Sequence, residues 1–391
     1  MNIMFVNHVS SKKYGGAERV LDSLIVGLSK VSSPPVLLLQ KRTDAEEEPW
    51  DCEAQVDVEF FNFGELGGAS KLLSLILMLL RMGKALFYVP YLIRKHRLDA
   101  ICANSLIAAA FCALPARLMG VQFIYYEHNI ASQRKNSLIG RALAPVARLS
   151  TAIVCISEAV RDGLIDVGVD PAKLHVIHNG YNFSDLDQPA ATQDLPKRHQ
   201  DGVLRIGMVA NFIPWKRHAR FVRIVDALSE KNPDVQIHAS MLGGCLPGSE
   251  AYYKEIEQLV EGYDGAATIS MLGFQDSIVG HLSSFDILIN PADAEPFGLI
   301  FVEAMYLGCV AVGSSDGSSS EIIDDGKTGL VLNYEDMPSA LEKLSQLAQQ
   351  PAARKAMGEA AREAVSRRFS MDQQVASFLR LVQPGGTDGS A

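Results

Sequence analysis

The sequence predicts two doubly wound α/β domains, each a parallel sheet with helices on both faces. Three observations lead there. Short apolar or β-branched runs alternate with helical patterns along the chain. The alternation occurs twice, with a polar break between the two stretches. At 391 residues the chain is long for one domain and comfortable for two.

In the first stretch the expected strands are Asn2–Val6, Val36–Leu39, Ala100–Ala103, Gln122–Tyr126, Ala152–Cys155 and His175–Ile177. Helical patterns over Ala17–Ser29, Ser105–Met119 and Glu158–Val167 lie between them, and Ser157 reads as an N-cap. In the second stretch the expected strands are Leu204–Val209, Gln236–Met241, Thr268–Met271, Ile287–Asn290, Val310–Val312 and Gly329–Leu332. From Asp336 onward helical patterns dominate, with Pro338 and Pro351 near helix starts. The break, SDLDQPAATQDLPKRHQD, is polar, holds two prolines and has no apolar period, as linkers do. The expected division is therefore 1–188, a linker at 189–202, and 203–368. The remainder, 369–391, holds a last helix near Met371–Leu381, expected to return toward the first domain, and a tail, PGGTDGSA, expected to be disordered.

Composition excludes several classes. Hydrophobic residues make up 48% and charged ones 21%, ordinary for a globular protein and wrong for a disordered or collagen-like chain. Lys plus Arg number 36 against 45 Asp plus Glu, for a net charge of −9. All of that excess lies after residue 188, since the first 188 residues balance. An acidic chain is a poor general binder of nucleic acid, so any polyanion must meet a local basic site. Ala100–Ala116 is free of charge but shorter than the ~20 apolar residues of a spanning helix. The first residues carry no basic leader, so a cytoplasmic protein is expected. Cys52, Cys102, Cys112, Cys155, Cys245 and Cys309 include no CxxC pair and no metal spacing, which agrees with a reducing compartment.

The most informative segment is NPADAEPFGLIFVEAMYLG, Asn290–Gly308. A strand ends at Asn290 and a helix follows. Pro296 disfavours helical geometry at Glu295, which puts Glu295 in the loop at the sheet's C-terminal edge, where doubly wound sheets bind ligands. With Pro296 at or near the first helical position, the amides of Phe297, Gly298 and Leu299 point outward as an anion cradle. Glu303 lies about one turn into the helix, where a carboxylate can accept two hydroxyl hydrogen bonds from a ribose. A loop carboxylate, a phosphate-binding helix end and a diol acceptor match the parts of a nucleotide-sugar.

This stretch resembles the E-x7-E motif of the retaining GT-B glycosyltransferases of family 4, and the similarity extends over nearly the whole chain. The resemblance implies two Rossmann-like domains facing across a cleft, the donor on the second and the acceptor entering from the first. It implies that Glu295 lies against the donor sugar, Glu303 holds the ribose and the backbone between them meets the diphosphate. Lys216, in MVANFIPWKRH after the second domain's first strand, matches the family's phosphate-binding lysine. Where the family commonly has an arginine shortly before it, this chain has Asn211; Arg217 either compensates or is a solvated residue at the helix start. Gly273 and Phe274 match a segment that lines the base pocket, or form a strand end and turn. Ser314–Leu332 resembles the family's glycine-containing loop, in which Glu321 orients the loop or caps a helix.

In the first domain Gly15 and Gly16 let a backbone approach a ligand at the start of a helix, and their spacing does not fit GxGxxG. His128, in the YEHN block after a strand, is the family-like histidine that hydrogen-bonds the transferred sugar; His8 is its rival. CISEAV and VIHNGYN match family signatures near the hinge, with Asn182 where the family often has aspartate. The resemblance implies retention of configuration, no metal or other cofactor, and a glycan or lipid-linked acceptor in bacterial envelope or exopolysaccharide synthesis. Lys71–Arg97 is apolar and basic without an acid, and reads either as a helix on anionic membrane or as a core helix with snorkelling cations. A nucleotide-sugar epimerase, an inverting transferase and a degenerate transferase acting as a binding subunit are the rival readings.

Overall fold

Runs of four to six apolar residues bounded by polar loops are strand-length, and when both faces are covered they read as unbroken hydrophobic stretches. A computed structural model of the chain describes residues 1–8, 16–32, 35–40, 56–63, 71–131, 142–187, 195, 198 and 202–383. Their contacts divide the chain into two units. The first holds Met1–Tyr181 with Met371 onward, and the second holds Asn182–Ser370.

The first unit carries strands β1 (Ile3–Val6), β2 (Val36–Gln40), β3 (Asp57–Phe61), β4 (Ala100–Ala103), β5 (Gln122–Glu127), β6 (Ala152–Cys155) and β7 (Leu174–Val176). They form one parallel sheet in the order β3-β2-β1-β4-β5-β6-β7. Its helices are α1 (Gly16–Val31), α2 (Lys71–His96), α3 (Leu106–Met119), α4 (Leu143–Leu149) and α5 (Glu158–Asp166). The second unit carries β8 (Leu204–Val209), β9 (Ile237–Leu242), β10 (Thr268–Gly273), β11 (Ile287–Asn290), β12 (Val310–Ser314) and β13 (Gly329–Leu332), ordered β10-β9-β8-β11-β12-β13 and again all parallel. Its helices are α6 (His218–Lys231), α7 (Glu250–Glu261), α8 (Val279–Ser284), α9 (Leu299–Tyr306), α10 (Ser319–Ile322), α11 (Met337–Gln349) and α12 (Pro351–Arg368). A last helix, α13 (Met371–Val382), lies against α1, and its buried Phe378 meets Phe5 of β1 at 5.6 Å between ring centroids. Full burial of one phenylalanine contributes about 1.5–3 kcal/mol, and Met371, Val375, Leu381 and Val382 are buried on the same helix.

In each sheet the chain winds outward in one direction, returns to the middle and winds outward in the other. The reversal falls between β1 and β4 in the first unit and between β8 and β11 in the second. Ligands of doubly wound folds bind outside the strand ends at that reversal.

Local signals place several boundaries. The Ser157 hydroxyl accepts from the Val160 amide at 3.1 Å and caps α5. Pro338 and Pro351 sit in the first turns of α11 and α12. Two expectations need correction. Strand β3 was not among the expected strands, since its DVEFF run is short, half-charged and exposed at the sheet's edge. Pro296 does not open α9; that helix starts at Leu299, with Gly298 as its N-cap at φ +89°.

Of the described cysteines, Cys102, Cys112, Cys155 and Cys309 are buried free thiols, and burial pushes Cys112 and Cys309 up to about 12. Cys52 lies outside the described residues. One stretch among the described residues, Ile76–His96 of α2, is long and apolar enough by length and composition to cross a membrane.

Candidate functional site

In the second unit three neighbouring strands, β8, β11 and β12, end in loops that converge at the sheet's C-terminal edge. After β8 the chain makes a single turn at Pro214–Lys216 before α6. Lys216 Nζ lies 2.6 Å from Glu295 Oε2, and Asn290, the last residue of β11, donates to that same oxygen at 3.1 Å. Lys216 also sits over the Trp215 ring, 4.1 Å from its centroid. Both side chains of the pair are largely buried, at 15% and 9% exposed. Each therefore depends on the other, because an ion left alone in such a place would be strongly destabilising.

The loops that carry Lys216 and Glu295 are both strained. Ala294 and Arg217 hold left-handed backbone angles, φ +47° and +61°, and they are two of the three non-glycine residues to do so among the described residues. Such angles cost of order 1–3 kcal/mol each and persist only where neighbours enforce them. The neighbours are visible. The Ala294 amide donates to Asp316 at 3.0 Å and the Asp293 amide donates to the Trp215 carbonyl at 2.9 Å. Arg217 and Arg220 both donate to the Asp293 carboxylate. From β12, the Ser318 hydroxyl reaches the carbonyls of Glu295 at 3.0 Å and Phe297 at 2.9 Å. Gly317, at φ +91°, pairs with Glu295 through a parallel bridge, and a Cβ on it would stand 2.5 Å from the Glu295 nitrogen. Only glycine lets this loop clamp the Glu295 turn.

At Gly298 the left-handed angle turns the chain into α9. The Phe301 amide bonds back to the Gly298 carbonyl at 2.9 Å, and the amides that precede it, with the helix dipole, favour an anion at this end. Leu299 is partly exposed, whereas the Phe297 ring is buried edge-on against Phe369 at 5.7 Å. The Phe297 ring thus belongs to the core, and its carbonyl is taken by Ser318. Glu303 lies one turn further on, 1% exposed.

Where the family has an arginine, the Asn211 side-chain oxygen accepts from the Gly244 amide at 3.1 Å and ties two loops together. Phe274, 49% exposed, stands over that junction, following Gly273 at φ +67°. Behind Lys216, His218 stacks on Phe212 with centroids 4.2 Å apart, and burial lowers its pKa to about 4. Glu321 lies in α10, where its carbonyl accepts from Arg368. Among the described residues no three His, Cys, Asp or Glu side chains gather as a metal set.

The first unit has its own constellation at the β1/β4 reversal. His128 Nε2 lies 2.8 Å from Asn104 Oδ1, and Asn104 Nδ2 lies 3.5 Å from Asn7 Oδ1. The His128 ring stacks on Tyr126, 5.0 Å between centroids. Glu127 holds the turn by accepting from the Tyr125 hydroxyl and the Asn129 amide. Glu18, on the first turn of α1, is linked to Asn7, and its carboxyl lies above the usual range, first of all through burial. Sequence reasoning missed Asn7, Asn104, Glu18 and Asn290. The signal available was a polar residue directly after an apolar strand: FVN, CAN, ILIN. Gly16 opens α1; Gly15 lies outside the described residues.

Comparison with known proteins bears on the family and the fold. The model for glycosyl transferases group 1 matches residues 192–364, and the model for Glycosyltransferase Family 4 matches residues 14–185. A trehalose synthase of Pyrococcus horikoshii is 28% identical over 187 residues, which is 46% of this chain and 44% of that one. An uncharacterised glycosyltransferase of Methanocaldococcus jannaschii is 26% identical over 253 residues, 64% of each chain. These matches thus span about half to two-thirds of those relatives' lengths. Among solved structures, Anabaena HepE in complex with UDP and glucose superposes with a TM-score of 0.73 at 21% identity, covering 97% of this chain and 99% of that one. The chain belongs to family 4 of the glycosyltransferases and has their GT-B fold, two Rossmann-like units in one polypeptide.

Proposed function

We propose that the protein transfers a sugar from a nucleoside-diphosphate donor, UDP- or GDP-linked, to a glycan or lipid-linked acceptor, with retention at the anomeric carbon. The observation that carries this reading is the Lys216–Glu295 pair at the β8/β11 reversal, beside the open amides of α9 and one turn from Glu303. The cation and the amides suit a diphosphate, Glu295 suits the sugar, and Glu303 suits the ribose hydroxyls. The complex of Anabaena HepE with UDP and glucose lends support, since that protein shares the fold.

In the reaction the bond between the anomeric carbon and the phosphate oxygen breaks, and the acceptor oxygen bonds to that carbon on the same face. The acceptor's proton passes to the departing phosphate. Negative charge grows on the diphosphate, and a cation with helix amides beside it lowers the barrier; Lys216 and the start of α9 are assigned that role. His128, held by Asn104 and Tyr126, hydrogen-bonds the transferred sugar. The step is written without a metal or cofactor, and chelation should leave the rate unchanged. We place the protein in the cytoplasm, consistent with its free thiols, and in the synthesis of bacterial envelope or extracellular polysaccharide.

The test is incubation of the pure protein with UDP-, GDP- and ADP-sugars, with binding read by thermal shift and product configuration by NMR. Binding of one donor and a product of unchanged configuration is expected. Inverted product, conversion of free donor without acceptor, or no binding of any donor would each replace this reading.

A further inference from the structure

The exposed face of α2 holds none of the residues assigned above to sugar transfer, and it is basic and apolar together. From Lys71 to Arg97 there are six Lys or Arg residues and no acid, in a protein whose net charge is −9. Ala85, Val89, Leu92 and Ile93 are buried and form one stripe at helical spacing. The opposite stripe, Leu80, Lys84, Phe87, Tyr91 and Arg94, is exposed, with Phe87 reaching 81%. Five consecutive apolar residues, Ile76–Leu80, are exposed as well.

A second feature lies alongside. Phe60, Phe61 and Asn62, at the end of β3, line with Arg81, Lys84 and Tyr88 of α2 an open groove of about 360 Å³. Aromatic walls with two cations fit a phosphate that is attached to something greasy.

We infer that the exposed stripe of α2 lies flat in the surface of an anionic phospholipid bilayer, with a lipid headgroup phosphate between Arg81 and Lys84. Apolar side chains and aromatics enter the acyl boundary while the cations meet the headgroups, the pattern of interfacial helices. A second copy of the chain fits less well, because two such faces would bring like charges together. The helix does not cross the bilayer. Its C-terminal half is bound into the first unit, with Tyr88 stacked on Phe61 at 5.7 Å and both Lys95 and His96 paired to Glu59 at 2.6 and 2.7 Å. Insertion would break that packing and bury the cations.

The experiment is co-sedimentation of the full chain with vesicles of phosphatidylcholine alone and of phosphatidylcholine with phosphatidylglycerol. It reads capture and not turnover, so it stands or fails apart from the sugar-transfer reading. Capture by the anionic vesicles only, weakening as salt rises, is expected. Each basic residue near an anionic surface strengthens binding about fivefold, so the double variant Arg81→Glu/Lys84→Glu should lose at least about 25-fold. Phe87→Glu, at a side chain that touches little, should lose about tenfold with unchanged circular dichroism and melting temperature. Equal capture by both vesicle types, capture indifferent to Phe87→Glu, or no capture would overturn the inference. So would a wild-type dimer that Phe87→Glu disperses, which would assign the face to a second copy.

Discussion

The two units share one winding and differ in what they place at its reversal. In the first, two amides and an imidazole meet across β1 and β4: Asn7, Asn104 and His128. In the second, a lysine and a carboxylate meet across β8 and β11, with two arginines and an aspartate close by. Amides and an imidazole at hydrogen-bond distance suit hydroxyl groups. Buried ions suit a ligand that is itself charged, since only such a ligand can replace one member of the pair. One architecture thus supplies two different chemistries, and the difference resides in the residues just beyond the strand ends.

The largest expected effect tests whether the charges of the second unit act on the reacting bond. Glu295→Gln keeps an oxygen for Lys216 and Asn290 but removes the charge, and turnover should fall about 10²–10³-fold, as when one preorganised group is lost. Nucleotide affinity should stay within a few-fold. Lys216→Ala should cost both turnover and affinity. Because the two residues touch, the double variant should lose less than the two singles combined. Additive losses in steady-state kinetics would show that the pair does not act as a unit.

Both units stack an imidazole on an aromatic ring, and the second prediction separates them. His128 is partly exposed against Tyr126, whereas His218 is fully buried against Phe212. The His218 pKa falls from 6.5 to about 4 on folding, first of all by desolvation. Between those values the unfolded chain binds the proton and the folded one does not, so stability rises with pH across this window. The contribution is fully present above pH 6.5 and is lost as pH falls through 4, amounting to about 3 kcal/mol. Denaturant titrations from pH 7 to 4 should therefore show a steeper decline for the wild type than for His218→Phe. Equal slopes would mean that His218 is not held neutral by its burial.

Next come two single changes, one in each unit. Glu303→Ala should weaken nucleotide binding by about 10–100-fold, the worth of hydrogen bonds to a charged acceptor. His128→Ala should leave nucleotide binding intact and lower turnover by about 10–100-fold on the same scale. Calorimetric titration with the free nucleoside diphosphate tells them apart. A loss of nucleotide binding in His128→Ala would erase the distinction drawn between the two reversals.

Much of this layout was legible in the sequence because it rests on local rules. Parallel strands buried on both faces stand out as short apolar runs, and Ile287–Asn290 and Leu204–Val209 were found at their full extent. Strand β3 escaped because an edge strand need not be apolar; DVEFF alternates and is half exposed. The start of α9 was misplaced because a proline signals a helix's first turn only on average, and here Gly298 turns the chain two residues later. Glu295 and Lys216 could be singled out one by one. Their pairing across 79 positions could not, nor could the contact of Asn104 with Asn7 across 97, since nothing local encodes which loops converge. Arg217 looked like a solvated cation or a substitute for the missing arginine. Its carboxylate partner, Asp293, comes from a different strand's loop.

The smallest predicted effect asks how much of the second reversal's chemistry depends on posture alone. Ser318 touches no charge; its hydroxyl bridges two carbonyls, those of Glu295 and Phe297, and so spans the turn that presents the carboxylate. Ser318→Ala removes that bridge and leaves the Ser318 amide's bond to the Glu295 carbonyl, at 2.9 Å, in place. Loss of one shared hydrogen bond costs about 1 kcal/mol of stability, so the melting temperature should fall by only about 2–4 °C in a chain with units of this size. If the strained angle at Ala294 is what aims Glu295, turnover should drop further than the stability loss explains, while nucleotide affinity holds. If turnover and melting temperature decline together, the charges alone decide the difference between the two units, and the clamp is merely part of the fold.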